Sequence, residues 1–147
     1  GLVGSEMCIR DSVKDLKFIE KLSPEMCGIG PFVPHKDTKF KNENHGDVSL
    51  VLMLLSIIRL LKPNILLPAT TALGTVDPLG REKGILHGAN VVMPNLSPVK
   101  HRKDYSLYDN KICTGDEAAQ CIGCLADRMK KIGYEIVTDR GDYKADI

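Results

Sequence analysis

The sequence has 147 residues, 43% hydrophobic and 27% charged, and its 20 lysines and arginines against 19 acids leave a formal net charge of +1. Those proportions fit one soluble globular unit and exclude a disordered chain. The basic residues are scattered, without the stripe that binding to a phosphate backbone needs, so nucleic acid is not an expected partner.

The first twelve residues, GLVGSEMCIRDS, resemble the translation of a transposase-type sequencing adaptor, so residues 1–12 are set aside as an artefact and Cys8 carries no functional weight. From Ser12 a helical pattern runs through VKDLKFIEKL, with Val13, Leu16, Phe18, Ile19 and Leu22 on one apolar face, and Ser23-Pro24 ends it. MCGIGPFVP reads as a first strand, near Met26–Val33, that opens into the loop PHKDTKFKNENHG. Asp47 is the expected N-cap of a helix from Val48 to Leu61, stopped by Lys62-Pro63. Only Ser49, Ser56 and Arg59 interrupt its apolar surface, which predicts a helix covered around most of its circumference. Arg59 and the shortness of this run, against the roughly 20 residues of a membrane span, argue against a membrane.

NILLPATTALG supplies a second strand, near Ile65–Ala69, TVDPLGRE a loop, and REKGILHG a short helix closed by Gly88. ANVVMPN supplies a third strand, near Asn90–Met93. The long polar loop LSPVKHRKDYSLYDNKI then leads to a last helix from Glu117 to Ile132, ended by Gly133. Alternating helices and strands predict an α/β fold with parallel pairing. A closed (β/α)8 barrel takes about 250 residues, so about three βα units plus a terminal helix make either a small open sheet or the C-terminal part of a barrel. The adaptor-like start favours the barrel part. No secretory signal precedes the domain, which points to the cytoplasm, where clustered cysteines suggest metal more than disulfides.

In a barrel the working face lies at the C-terminal ends of the strands. PFVPH, PATTALG and MPNLSP converge there. Thr70 and Thr71 can each donate a hydrogen bond to an anion, or serve only as β-formers at a strand end. His35 reads as a loop histidine before a general base, Met93 as core, and Tyr105 and Tyr108 as loop anchors. Cys113, Cys121 and Cys124 form C-x7-C-x2-C, and a helix begun by Cys121 sets the last two on one face with lowered thiol pKa values. Zinc wants a fourth protein ligand, for which His101, Asp109 and Asp116 are candidates. An iron–sulfur cluster with an open position fits three thiolates. Cys27, alone in a strand, reads as packing.

Together, GIGPFVPHKDTKF, LLPATTALGTVDPLGREKGILHGANVVMPNLSP and YSLYDNKICTGDEAAQCIGC resemble the HydE family of [FeFe]-hydrogenase maturases, radical S-adenosylmethionine (SAM) barrels related to biotin synthase. The resemblance divides the native chain into the last strands and helices of the barrel, 13–112, and a tail, 113–147. It implies that Val33, Met93 and Tyr105 line the cofactor-side cavity and that Thr70 and Thr71 bind the substrate or an anion. Cys113, Cys121 and Cys124 match the ligands of an auxiliary cluster, 2Fe-2S or 4Fe-4S, found in part of the family. The family's C-x3-C-x2-C, which holds the SAM-cleaving [4Fe-4S] cluster, is absent from this chain. Implied for the full-length protein are SAM as cofactor and a cysteine-bound iron organometallic precursor of the hydrogenase H-cluster as substrate. The maturases HydF and HydG are the implied partners. The chain alone is expected to be inactive. Biotin synthase-like and methylornithine synthase-like enzymes are the alternatives within the superfamily, and a non-catalytic metal-binding module is the alternative outside it.

Overall fold

Helix α1 covers Ser5–Leu22 in a computed structural model that describes residues 5–105, 107–112 and 118–144. The helical pattern expected from Ser12 therefore extends back into the adaptor-like stretch. Leu16 and Ile19 pack on the core, while Val13, Phe18 and Leu22 of the same expected face stay exposed. Ser23 ends the helix in the left-handed region, with φ 50°.

Helix α2, Val48–Leu61, has the expected limits. Asp47 Oδ1 accepts from the Ser49 N–H at 2.8 Å, satisfying a first-turn donor that has no partner within the helix. Val51, Leu52, Leu55 and Ile58 form its buried stripe. The expectation that most of its circumference is covered is corrected here, because Met53 and Leu60 are 52% and 81% exposed. Only one described helix, α4 (Gly80–Leu86), packs extensively on α2, and the rest of the core meets its inner stripe.

Where three strands were expected, the chain is extended but forms no regular strand among the described residues. Neighbouring segments meet at two single bridges, Met26 with Leu66 and Pro68 with Val91, both parallel. Around them Leu66 N–H donates to Glu25 O at 2.9 Å and Cys27 N–H to Leu66 O at 3.0 Å, while Ala69 N–H donates to Val91 O at 2.9 Å. The ladders stop for local reasons. The Leu67 N–H goes to the side-chain Oδ1 of Asn90, at 2.8 Å, instead of a main-chain carbonyl. Pro68 has no N–H, and the first segment carries Gly28, Gly30, Pro31 and Pro34, which weaken a ladder. The middle segment still forms the heart of the core, with Ile65, Leu67 and Ala69 at 1%, 0% and 3% exposure.

The stretch expected as strand end and loop contains a further helix, α3 (Thr71–Val76), which packs on α4. Helix α4 closes as expected on Gly88, at φ 104°, with Ala89 N–H returning to Gly84 O and Gly88 N–H to Ile85 O. A 3-10 turn, Val99–Tyr105, lies within the long polar loop. Helix α5, Ala118–Lys131, ends on Gly133 at φ 82° with the same pair of returning bonds, from Tyr134 to Met129 and from Gly133 to Lys130.

Polar latches join the helices. Arg128 on α5 grips the buried Glu82 on α4 with two bonds, Nε to Oε1 at 2.5 Å and Nη2 to Oε2 at 2.6 Å, and also reaches Pro78 O. Arg59 donates to Gly88 O at 2.8 Å and to Pro63 O at 2.5 Å, and Ser56 donates to His87 O at 3.1 Å. Lys62 Nζ reaches Ser23 Oγ at 3.0 Å, so the C-terminal ends of α1, α2 and α4 are tied together.

Candidate functional site

The ends of the three extended segments lie close together. A Cβ on Gly30 would sit 2.7 Å from Thr70 Oγ1, so the first segment reaches the start of α3 only because glycine is there. Residues 109–112 stitch the mouth: Asp109 N–H donates to Pro34 O at 3.1 Å, Lys36 N–H donates to Asp109 Oδ2 at 2.8 Å, and Ile112 N–H donates to Thr75 Oγ1 at 3.4 Å. Thr71, Met93, Pro94, Asn95, Lys111 and Ile112 then line a half-open cavity of about 180 Å3.

Of the residues singled out from the sequence, Thr71 and Met93 share this cavity. Met93 is 51% exposed, a mouth residue and not a core one. Thr70 has a different task, since its Oγ1 accepts from the Leu73 N–H at 3.3 Å and caps α3. Val33 is half-buried just before Pro34 and is not part of the cavity wall. Tyr105 closes the 3-10 turn, and its side chain lies outside the described residues. His35 organises its own turn, with Nδ1 accepting from the Asp37 N–H at 3.1 Å.

Two arginines that nothing in the sequence distinguished hold the mouth from beneath. Arg81, 2% exposed, donates through Nη2 to Thr71 Oγ1 at 3.3 Å. Arg102, also 2% exposed, donates to Asn95 O at 3.1 Å and Ser97 O at 2.8 Å, fixing the PNLSP turn. Thr71, Asn95 and Lys111 thus line one small space. A volume of 180 Å3 is below the roughly 300–1,000 Å3 of a site for a whole drug-sized molecule. It suits a carboxylate-sized group.

The cysteines divide. Cys113 lies outside the described residues. Cys121, in the first turn of α5, is 2% exposed, whereas Cys124 is exposed. The expected common face thus carries one buried and one solvent-facing thiol, and no group of three metal-ligating side chains occurs among the described residues. Cys27 is half-buried against the core, and burial pushes its thiol pKa up, in keeping with packing.

No protein-family model matches the chain. Two curated proteins do. Over 136 residues, 92% of the chain, it is 43% identical to the [FeFe] hydrogenase maturase subunit HydE of Thermotoga maritima. The chain resembles HydE along nearly its whole length. It is also 25% identical over 138 residues to the 3-methylornithine synthase of Methanosarcina acetivorans. The chain spans about two fifths of its relatives' length, 39% of HydE and 37% of the synthase.

Proposed function

We propose that the chain is the C-terminal part of a radical SAM maturase of the HydE kind. In the full-length protein it would form the last three βα units and the tail of a (β/α)8 barrel that acts on a cysteine-bound iron organometallic precursor of the hydrogenase H-cluster. The 43% identity to HydE over 92% of the chain carries this reading. The likeness to 3-methylornithine synthase, at 25%, supports the superfamily without favouring that enzyme's product. HydF and HydG are the proposed partners and the cytoplasm the proposed location; no described helix is long and apolar enough to cross a membrane.

The residues present do not complete a site for SAM or for the cluster that cleaves it. The five cysteines contain no C-x3-C-x2-C, and the mouth cavity is too small for SAM. Within the described residues the auxiliary-cluster thiols are reduced to a buried Cys121 and an exposed Cys124. No step is therefore assigned to either group. What these residues can do is bind and orient. Thr71 offers a donor to a small anionic group such as the carboxylate of a cysteine ligand, with Asn95 and Lys111 lining the same cavity and Arg102 fixing the turn that carries Asn95. Val33, Met93 and Tyr105 would wall the cofactor side, and a tail cluster would sit on Cys113, Cys121 and Cys124.

The test uses the complete reading frame that contains this chain, purified without oxygen. An upstream C-x3-C-x2-C and SAM cleavage stimulated by the iron–cysteine precursor are expected. Thr71→Val should lower deoxyadenosine formation by about tenfold or more, the cost of leaving an anionic group short of one donor, and lose roughly 1–3 kcal/mol of stability by taking this acceptor from the buried Arg81. Thr70→Val should lose about 1 kcal/mol of stability through its cap. A frame lacking the cysteine motif, or turnover indifferent to Thr71→Val, would overturn the proposal.

A further inference from the structure

We infer that Arg81 is a positioning residue for the mouth cavity: its guanidinium occupies the lone pair of Thr71 Oγ1 and so turns the Thr71 hydroxyl proton toward a bound carboxylate. This deepens the functional reading above and rests on its placing an anionic group beside Thr71. A threonine hydroxyl has one proton to give and two lone pairs to receive with, whereas a guanidinium only donates. Arg81 Nη2 donates to Thr71 Oγ1 at 3.3 Å, and among the described residues the Thr71 hydroxyl donates to nothing. Its remaining neighbour is the cavity, which it lines with Met93, Asn95 and Lys111. Without the arginine the hydroxyl is free to rotate and present a lone pair to the ligand, which repels a carboxylate. With it, the cavity gains a directed donor and a permanent positive charge behind that donor, in a region only 2% exposed at Arg81 where water screens poorly.

The arginine is held tightly enough to do this. A Cβ on Gly74 would lie 3.2 Å from Arg81 Cγ, 3.3 Å from its Nε and 3.0 Å from Ile112 Cδ1, so the side chain runs in close contact across the glycine of α3 toward the cavity wall. The neighbouring Glu82 is engaged by Arg128 on the other side of α4. The ligand class that follows is a small carboxylate or similar oxyanion. An amine or other cation is disfavoured.

The experiment measures binding of L-cysteine to the full-length enzyme by calorimetry, with cysteamine, which lacks the carboxylate, as control. Thr71→Val and Arg81→Gln are each expected to weaken L-cysteine about tenfold, and the double variant to be no more than about twofold worse than either, because both remove the same directed donor. Arg81→Lys should fall between native and Arg81→Gln, and cysteamine should respond to none of them. Unchanged affinity in Thr71→Val sinks the anion reading and this inference together. Weakening by Thr71→Val with an unchanged Arg81→Gln, or losses that multiply in the double variant, sinks this inference alone. If Arg81→Gln does not fold, Gly74→Ala serves instead: it displaces the guanidinium by tenths of an ångström while keeping its charge. L-cysteine should then bind several-fold more weakly with the thermal midpoint retained, and unchanged binding would overturn the assignment.

Discussion

Replacing Arg128 by methionine tests how much of the fold depends on one ion pair. Glu82 and Arg128 have side chains only 9% and 24% exposed, joined by two bonds at 2.5 and 2.6 Å. A solvent-exposed pair is worth about 0–1 kcal/mol, whereas stripping one partner from a buried pair costs about 3–5 kcal/mol, because the other charge stays behind unpaired. With Glu82 buried and Arg128 a quarter exposed, the expected loss is near the lower end of that range, ~3 kcal/mol at pH 7. The loss should also depend on pH. Burial by itself pushes the Glu82 carboxyl up, but the hydrogen bonds and charge of Arg128, with the charge of Arg81, outweigh it and hold the group below the ordinary glutamate range. A carboxyl with a lower pKa folded than unfolded contributes stability above its unfolded value, about pH 4.3, and loses it as pH falls through the folded value. The difference between native and Arg128→Met is therefore largest at neutral pH and shrinks as Glu82 protonates in both proteins. Urea unfolding followed by circular dichroism between pH 7 and pH 3 reads it directly. A difference under about 1 kcal/mol with no dependence on pH would show that the pair is solvated and that α5 is held by its apolar contacts alone.

Two glycines should respond oppositely to alanine. At Gly80 the new Cβ would fall 2.2 Å from Leu73 O, a backbone atom that cannot swing aside, and the strain should exceed the ~1–3 kcal/mol of ordinary overpacking; at Gly123 nothing lies within 4 Å, and a gain of about 0.5–1 kcal/mol is expected from helix propensity. Thermal midpoints of the two variants separate these outcomes. Asn90→Ala should cost about 1–3 kcal/mol by orphaning the buried Leu67 N–H, and should speed hydrogen exchange at that amide. Anaerobic reconstitution with iron and sulfide should load a cluster that is lost in Cys113→Ser, Cys121→Ser and Cys124→Ser, while this chain leaves SAM intact under dithionite; stoichiometric zinc without sulfide would refute the cluster.

The helices with local punctuation were legible in the sequence. Asp47 before an apolar run, Gly88 after REKGILH and Gly133 after the last helix each act within one turn of chain, so no tertiary knowledge was needed to place them. Helix α3 was not legible, because β-branched Thr70 and Thr71 read as a strand continuing from NILLPA. What decides against the strand is the Thr70 cap and the packing of α3 on α4. The regularity of the strands depended on a long-range choice, the Asn90 amide taking the Leu67 donor across 23 positions. At the site, Thr71 was singled out from its place at a segment end, whereas Met93 read as core and only the resemblance put it beside the cavity. Arg81 and Arg102 sit in charged runs, GREK and KHRKD, whose appearance is that of ordinary surface, and only burial sets them apart. The helical spacing of Cys121 and Cys124 was readable, but their opposite exposure was not.

The latch at Arg59 has a consequence for how this sequence can vary. Its acceptors are the main-chain carbonyls of Gly88 and Pro63, groups that every residue possesses, and Ser56 likewise donates to the carbonyl of His87. The acceptor side is thus blind to side-chain identity, and the information that joins α2 to the end of α4 is written almost entirely in Arg59 and Ser56. His87, exposed and using its own ring on Lys83 O at 2.7 Å, can be exchanged without touching the joint. Gly88 is constrained separately, by its φ of 104° and by the 2.8 Å that a Cβ would leave to Arg59 Cβ. Substitutions in this region should therefore be tolerated or rejected according to which end of each bond they alter, and a lysine at position 59, one donor group where the guanidinium offers a fork, would hold one carbonyl and release the other.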